Sequence, residues 1–310
     1  MSSTLAIETR RLTKRYGDFV AVDQIALAVP EGVVFGFLGP NGAGKSTTLR
    51  MLCGQLEPTS GEATVAGLSP SRDREALKRA IGYMPQAFGL YPYLTVIENL
   101  LFYAELYLDD YALVRPRTAE VIHLIGMLDR RHQLASELSG GWKQRLALGC
   151  AILHEPRVLF LDEPTVGVDP VSRRLFWDLI HKLNEQGVTI FVTTHYMEEL
   201  ERCHGVAFLS GGKLRAQGSP RALKAAVGAS RQLVTAISSE PERALAALRG
   251  QEGLLDAYLW GEEIRLSWAL HADPLGQTRA ALAGAGLPAR MVEGRAPTME
   301  DVFVASQAST

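Results

Sequence analysis

One short stretch decides how this chain folds: Gly39-Pro40-Asn41-Gly42-Ala43-Gly44-Lys45-Ser46-Thr47. It fits the pattern G-x-x-x-x-G-K-[ST], follows an apolar run over 33–38 that predicts a buried strand, and precedes a helix predicted over 48–53. In this context the glycines let backbone N–H groups wrap around a phosphate, and the helix N-terminus adds partial positive charge. The stretch therefore predicts a nucleoside triphosphate site, in which Lys45 reaches the β- and γ-phosphates and the Ser46 hydroxyl ligates Mg²⁺.

The composition is that of an ordinary folded protein. The chain has 310 residues, of which 47% are hydrophobic and 21% charged, so we expect about two domains. Its net charge of −2 gives no basic field of the kind that nucleic-acid binding requires. The three cysteines lie far apart and indicate reduced thiols in the core. No signal peptide and no run of 18 apolar residues is found, so we expect contact with a membrane only through a partner.

The segments around the loop predict an antiparallel hairpin before it and a short α/β region after it. The hairpin covers 5–12 and 19–29, with Tyr16 at its turn. An aromatic side chain there can stack on a base or be an ordinary exposed tyrosine. A strand at 81–84 ends in Pro85 and Gln86. Gln86 can orient water or Mg²⁺, or it can be a solvated loop residue.

Residues of about 90–150 predict a helical insert, with helices over about 96–108, 116–128 and 141–153. An aromatic concentration runs from Phe88 to Tyr107. On the sequence alone, this cluster fits a local core and a surface that docks a partner equally well.

Two later strands deliver polar side chains to the same expected sheet edge. The run from Val158 ends in the acids Asp162 and Glu163, and the strand over 188–193 is followed by His195. Ligands bind at the carboxyl edge of open parallel sheets. One acid can therefore ligate Mg²⁺ while the other acts as a general base. A lone histidine at this edge, such as His195, can instead have a purely structural role.

A helix that opens with Ser139-Gly140-Gly141 offers a second anion site. Ser139 is placed as the N-cap, and the bare N–H groups and the helix dipole lie behind it. The alternative is an ordinary loop and cap.

Together these motifs resemble the nucleotide-binding subunit of an ABC (ATP-binding cassette) transporter, over about residues 5–220. The resemblance rests on these positions: Gly39–Thr47 (Walker A), Val158–Glu163 (Walker B and catalytic glutamate), Gln86 (Q-loop), Leu138–Trp142 (signature), Val166–Asp169 (D-loop), His195 (switch histidine) and Tyr16 (adenine stacking).

The resemblance implies a mechanism and partners. Two copies of the chain sandwich two ATP molecules, each held by the phosphate loop of one copy and by Ser139, Gly140 and Gly141 of the other. Ser46, Gln86 and Asp162 arrange Mg²⁺. Catalysis then comes mostly from positioning and electrostatics. The homodimer drives a separate integral-membrane permease from the cytoplasmic face of the membrane.

In the resemblance's scheme Glu163 polarises the attacking water, His195 holds the γ-phosphate, and Asp169 lies at the shared nucleotide site. Two positions depart from the family pattern: Trp142 stands where many members have glutamine, and valines occupy 166 and 168. These departures concern the fit of partners rather than the phosphate chemistry.

The fold we expect is a P-loop NTPase domain over 1–225, with an antiparallel β subdomain and a helical insert, followed by an accessory domain over 231–310. The accessory segment predicts the order β-α-β-β-α-β, which is ferredoxin-like. Its last segment, Pro297 to Val304, resembles the daunorubicin-resistance group of ABC exporters, which export drugs, antibiotics, lipids or polysaccharide.

Two other classes of phosphate-loop protein fit the sequence less well. One is a soluble ABC ATPase that acts on ribosomes or DNA, which usually has two cassettes in one chain or long coiled coils. The other is a phosphate-loop kinase or GTPase, for which the signature is foreign and the guanine-reading N-K-x-D motif is lacking.

Overall fold

The computed structural model describes residues 4–87, 89–270, 273–287 and 289–307, and the chain forms two compact units that divide between Ser219 and Pro220. The boundary predicted at about 225–231 falls later than this. The helix Pro220–Ser230 groups with the second unit because it packs against the C-terminal helix. Phe88 and Pro288, which we expected in the aromatic segment and the last strand, lie outside the described residues.

The strands of the first unit form two sheets. Within the described residues they are β1 (Leu5–Tyr16), β2 (Phe19–Pro30), β3 (Val34–Leu38), β4 (Ser60–Val65), β5 (Ile81–Met84), β6 (Val158–Asp162), β7 (Thr189–Thr194), β8 (Gly205–Ser210) and β9 (Lys213–Gly218).

The larger sheet has the order β5-β6-β7-β3-β8-β9 and is parallel except for the edge strand β9. Every residue of β3, β6 and β7 is buried, as expected of parallel strands covered on both faces. The carboxyl ends of these three strands meet at one edge. That edge carries the loops in which we predicted the site.

The predicted hairpin forms, and it is longer than expected. β1 and β2 pair as far as Tyr16 and Phe19, so only Gly17 and Asp18 remain in the turn. β4 pairs with the other side of β1 and completes the antiparallel subdomain, in the order β2-β1-β4.

The helices of the first unit within the described residues are α1 (Lys45–Leu52), α2 (Arg74–Ala80), α3 (Val96–Tyr107), α4 (Tyr111–Leu124), α5 (Gly140–Ala151), α6 (Pro170–Glu185) and α7 (Met197–Leu200). Short 3₁₀ turns lie at Leu128–Arg130 and Ala135–Glu137. In the part of the chain that is described, no helix is long and apolar enough to cross a membrane.

The helical insert contains α3, α4 and α5. The capping box predicted for α3 is present: Thr95 accepts from the N–H of Glu98, whose carboxylate accepts from the N–H of Thr95. The helix predicted to begin at Pro116 was placed wrongly. α4 begins at Tyr111 under the N-cap Asp110, and Pro116 lies inside it, where its missing N–H removes one helical hydrogen bond.

The second unit contains α8 (Pro220–Ser230), β10 (Arg231–Ser238), α9 (Pro241–Leu248), β11 (Leu254–Trp260), β12 (Glu263–Ala269), α10 (Pro274–Gly284), β13 (Ala289–Gly294) and α11 (Met299–Gln307). Its antiparallel sheet has the order β11-β12-β10-β13, with the core around Trp268 and Leu266. From β10 to β13 the elements follow the predicted order β-α-β-β-α-β.

A buried ion pair fixes the start of α11. The carboxylate of Asp301 receives two hydrogen bonds from the Arg295 guanidinium, at 2.5 and 2.6 Å, and two from the N–H and hydroxyl of Thr298, both at 2.8 Å. Burial alone would raise the pKa of Asp301, but these hydrogen bonds outweigh it and hold that pKa below its usual range. The carboxylate thus joins α11 to the segment that follows β13.

Replacing Asp301 by Asn should lower the free energy of unfolding at neutral pH by about 3 kcal/mol, because Arg295 then loses its buried counter-charge. The folded-state pKa lies below the unfolded value. The stabilisation is therefore present above about pH 4 and is lost as the pH falls through the folded-state pKa. Chemical denaturation across this range should show a steeper acid loss in the wild type than in Asp301→Asn. Glu293→Gln, an exposed acid on β13, is the control, and an equal drop in that variant would contradict the assignment.

Candidate nucleotide-binding site

The phosphate loop joins β3 to α1, as the sequence predicts. Gly44 has φ 104°, and a Cβ on it would lie 2.4 Å from the carbonyl oxygen of Ala21, so only glycine fits there. α1 begins at Lys45 and not at the predicted Thr48, because the left-handed Gly44 is itself the helix N-cap. The first N–H groups of α1 therefore open onto the loop.

Lys45 places a buried cation inside this loop. Its side chain is only 5% exposed, and its ammonium lies 2.7 Å from the carbonyl oxygen of Gly39, 3.3 Å from that of Pro40 and 3.1 Å from Glu163 Oε1. The charge is thus held at the centre of the loop and not in solvent. Such a cation can neutralise a bound phosphate.

Asp162, the last residue of β6, lies directly beside the start of α1. Its Oδ1 accepts a 2.7 Å hydrogen bond from the Thr193 hydroxyl and a 3.3 Å hydrogen bond from the Ser46 hydroxyl. Its charge also reaches its neighbours. Together with burial, which is the larger cause, it raises the pKa of Tyr83 to about 12 and raises that of the Cys53 thiol.

Glu163 turns sharply out of the strand. Its φ is 50°, a left-handed value that costs a residue other than glycine about 1–3 kcal/mol. The turn is held because its N–H donates to the carbonyl and the hydroxyl of Thr193, at 3.1 and 3.0 Å. The carboxylate then lies between two cationic or ionisable groups: Lys45, and His195 Nδ1 at 3.3 Å from Oε2.

Lys45, Glu163 and His195 line one cleft of about 580 Å³, and Asp162 lies just behind it in contact with Ser46. Most of the predicted site residues meet there: Tyr16, Asn41, Gly42, Ala43, Gly44, Lys45, Ser46, Thr47, Gln86, Glu163 and His195. Tyr16, with 51% of its surface exposed, forms the aromatic end of the cleft. Val166, one of the two unusual valines, also lines it.

The oxygen donors fit a magnesium ion that is carried by a nucleotide. Ser46 and Asp162 are in contact, and Gln86 lines the same cleft. Among the described residues no group of three or more His, Cys, Asp or Glu could hold a metal ion. Mg²⁺ commonly takes its other ligands from phosphate oxygens and water, so a few protein oxygens would be enough to hold it here.

The remaining predicted residues lie outside this cleft. Ser139 is the N-cap of α5, and Asp169 is the N-cap of α6, where it accepts from the N–H of Ser172 at 2.9 Å. Hydrogen bonds from Ser172 hold the pKa of Asp169 below its usual range. Gly141 packs against Ser172, and Gly140 lies near the Gly167 carbonyl. The start of α5 and the start of α6 thus form a second surface.

The structure adds residues that the sequence did not single out. Thr193 holds both acids, and the buried Glu199 contacts Thr165 and Thr194. The whole of α6 was also missed, although Asp169-Pro170 is an N-cap followed by proline at the first helical position, which indicates a helix start. The contact of Thr193 with Asp162 carries no sequence signal, because it depends on the register between β6 and β7.

Trp142, which departs from the family pattern, contacts two arginines. The guanidinium groups of Arg130 and Arg145 lie 4.6 and 4.9 Å from the centre of its ring. Such cation–π contacts stabilise the start of α5.

Comparisons with known proteins agree with this geometry. The family model described as "ABC transporter" matches residues 22–166. The chain is 47% identical over 219 residues to the probable multidrug ABC transporter ATP-binding protein YbhF of Escherichia coli, covering 71% of this chain. The chain spans 38% of the length of YbhF.

Two further relatives match over more of their length. The linearmycin resistance ATP-binding protein LnrL of Bacillus subtilis is 35% identical over 84% of each chain. The Nod factor export ATP-binding protein I of Rhizobium sp. is 35% identical over 97% of each chain.

A solved dimeric structure of MJ0796, a bacterial ABC transporter cassette, superposes with a TM-score of 0.62 at 27% identity, covering 69% of this chain and 98% of that one. Fold, phosphate loop and sequence similarity thus agree, and the chain belongs to the ATP-binding proteins of the ABC transporter family.

Proposed function

We propose that this protein hydrolyses Mg²⁺–ATP at sites shared between two copies of the chain and thereby powers a separate membrane permease. The observation that carries the proposal is the contact of Glu163 with both Lys45 and His195 beside the phosphate loop, at 3.1 and 3.3 Å. A base, a phosphate-binding cation and a γ-phosphate sensor are what ATP hydrolysis needs at one point.

Each residue of the cleft has a role in this scheme. The adenine stacks on Tyr16, while the loop from Gly39 to Thr47 wraps the phosphates with its N–H groups and Lys45 neutralises them. Ser46, Asp162 and Gln86 hold Mg²⁺, which shields the charge of the phosphates when bound.

Glu163 is the residue that orients and polarises the attacking water. Its left-handed backbone and the two hydrogen bonds from its N–H to Thr193 fix the position of its backbone beside the phosphate loop. His195 contacts the same carboxylate and holds the γ-phosphate. The acceleration then arises from positioning and fixed charge, without a covalent intermediate.

The second surface supports a shared site. Ser139, Gly140, Gly141 and Asp169 lie outside the cleft of their own chain, at the starts of α5 and α6. A second copy brings this surface over the phosphate loop, and the N–H groups at the start of α5 then face the γ-phosphate. The dimeric relative supports this arrangement.

A groove beside the helical insert suits a permease segment. It has a volume of about 880 Å³ and is lined by basic side chains on α2 and by apolar and aromatic ones on α3, among them Arg74, Lys78, Arg79, Leu106 and Tyr107. Tyr93 and Leu106 are 86% and 64% exposed, whereas Leu100 and Ala104 are buried. The aromatic segment is therefore partly core and partly surface. We assign the surface part to a permease loop at the cytoplasmic face of the membrane.

The class of transported compound is inferred from the names of the relatives. Their names refer to multidrug transport, antibiotic resistance and export. We therefore propose export of a drug, antibiotic, lipid or polysaccharide. The second unit, which begins at Pro220, is assigned an accessory role, either regulatory or stabilising the dimer.

The general base is tested with Glu163→Gln, which keeps the shape of the side chain but cannot take a proton. Turnover of ATP should fall on the order of 10²–10⁴-fold, while the affinity for ATP changes little. Phosphate release and nucleotide binding are measured on the purified full-length chain. Hydrolysis at nearly the wild-type rate would show that Glu163 is not the base.

The shared site is tested by mixing two defective chains, Lys45→Ala and Gly140→Asp, each with Glu163→Gln to stop turnover. Each variant alone has two impaired sites, whereas a mixed dimer has one intact site. Size-exclusion chromatography at saturating ATP should show a dimer only in the mixture.

A Cβ on Gly140 would meet only the Gly167 carbonyl, at 3.6 Å, so the aspartate fits and acts through its charge. Gly140→Asn, of the same size, is the control and should dimerise more readily than Gly140→Asp. If verified mixed dimers bind no ATP across the interface, the site is not shared in this way.

The docking groove is tested with Leu106→Asp, an exposed position that lines it. The charge should release most of the subunit from membranes that contain its native permease, because an apolar contact is lost. Leu113→Asp is the matched control, since Leu113 is 52% exposed on the neighbouring α4 and does not line the groove. Sedimentation of membranes measures the bound fraction. Equal retention of both variants would place the permease elsewhere.

A further inference from the structure

A buried carboxylate connects two of the loops at the candidate site. Glu199 on α7 is 2% exposed. Its Oε1 accepts a hydrogen bond from the Thr165 hydroxyl, and its Oε2 accepts one from the Thr194 hydroxyl, both at 2.6 Å. The two threonines are also buried; Thr165 lies in the loop after β6, and Thr194 ends β7 where the loop of His195 begins. Each oxygen of one carboxylate therefore holds one loop.

An arginine also lies close to the Glu199 carboxylate. Arg173 on α6 places its Nε 4.0 Å from Oε1, and its guanidinium lies 4.0 Å from the ring centre of Tyr196. Short hydrogen bonds to a carboxylate are about twice as strong as those between neutral groups. A carboxylate buried at this depth without partners would be strongly unfavourable, so the contacts persist as a set.

The two loops are the ones that carry the proposed chemistry. Thr165 lies between Glu163 and Asp169, in the loop after β6. Thr194 directly precedes His195, and its hydroxyl also accepts from the N–H of Tyr196 at 3.0 Å, on the other side of the histidine. Glu199 therefore fixes the backbone on which Glu163 and His195 approach each other to 3.3 Å.

We propose that Glu199 is a positioning residue for ATP hydrolysis, which fastens the loop of Glu163 and Asp169 to the loop of His195. This inference rests on the roles proposed above for Glu163 and His195. Glu199 does not line the cleft of about 580 Å³, so it acts through these residues and not on the nucleotide. Its loss should affect turnover and spare nucleotide binding.

The first test compares Glu199→Gln with Glu198→Gln in the purified full-length chain. Gln keeps the size of the side chain but offers an N–H₂ group where a threonine hydroxyl donates. We expect kcat to fall about 10–100-fold, as for a misplaced catalytic group, with KM for ATP within about twofold of wild type. Glu198 is the exposed acid next to Glu199 on the same helix, and its variant should behave as wild type. Equal kcat values for the two variants would overturn the proposal.

The second test asks whether Glu199 acts through His195. In a His195→Ala background, Glu199→Gln should lower kcat by a much smaller factor than in the wild-type background, because residues that act as a unit are not additive. A loss by the same factor in both backgrounds would mean that Glu199 acts only through general stability, and the proposal would fail.

Because Glu199→Gln removes a buried charge, its thermal unfolding is measured as well. If that variant does not fold, two substitutions of Thr165 test the proposal instead. Thr165→Val removes the hydroxyl with little change in shape, and Thr165→Ser restores it. Thr165→Val should lower kcat at least about fivefold, and Thr165→Ser should recover most of that loss. Equal rates in the two variants would overturn the proposal.

The two sets of variants distinguish a failure of the Glu199 proposal from a failure of the proposed function. If Glu163→Gln retains hydrolysis, the assignment of the site itself is wrong. If Glu163→Gln loses hydrolysis while Glu199→Gln matches Glu198→Gln, only the role of Glu199 is wrong.

Discussion

The candidate site depends on the contacts of one buried side chain, Lys45. The Lys45 side chain is 5% exposed, and its ammonium contacts the Gly39 carbonyl and the Glu163 carboxylate. A buried cation needs such partners, and here they come from chain segments more than a hundred residues apart. β3 and β6 deliver the two charges, and β7 lies between them in the sheet. Strand order thus explains why the loop after β7, with His195, reaches the same point.

Much of this arrangement could be predicted because the decisive residues lie at the ends of recognisable strands. The glycine loop, the acids Asp162 and Glu163, and His195 each follow a continuous apolar run. The carboxyl ends of parallel strands meet at one edge of a sheet whatever their order. The predicted members of the cleft therefore come together without any knowledge of side-chain contacts. The roles assigned to them remain predictions.

The features that the sequence did not predict depend on strand register or on local signals that compete with each other. Thr193 reaches Asp162 only because β6 and β7 pair with those residues opposite each other, and no short-range pattern states this. Glu199 looks like an ordinary surface acid beside Glu198. The misplaced start of α4 has a different origin, since Pro116 suggested a helix start although Asp110 is the N-cap. In the second unit the succession of strands and helices along the chain was predictable from the sequence, whereas the Arg295–Asp301 pair was not.

The glycines of the phosphate loop have a consequence for entropy. A Cβ on Gly39 would lie 2.4 Å from the Leu209 carbonyl, and one on Gly44 would lie as close to the Ala21 carbonyl. The Ala43 carbonyl also accepts from the N–H of Gly212. Backbone of β8 therefore clamps the start of the loop, and backbone of β2 and of the β8–β9 turn clamps its end. A loop clamped in this way gives up little conformational freedom when an anion enters, so more of the interaction free energy remains as affinity. The same clamp makes the loop a poor module to transplant, because its shape belongs to two sheets and not to its own nine residues.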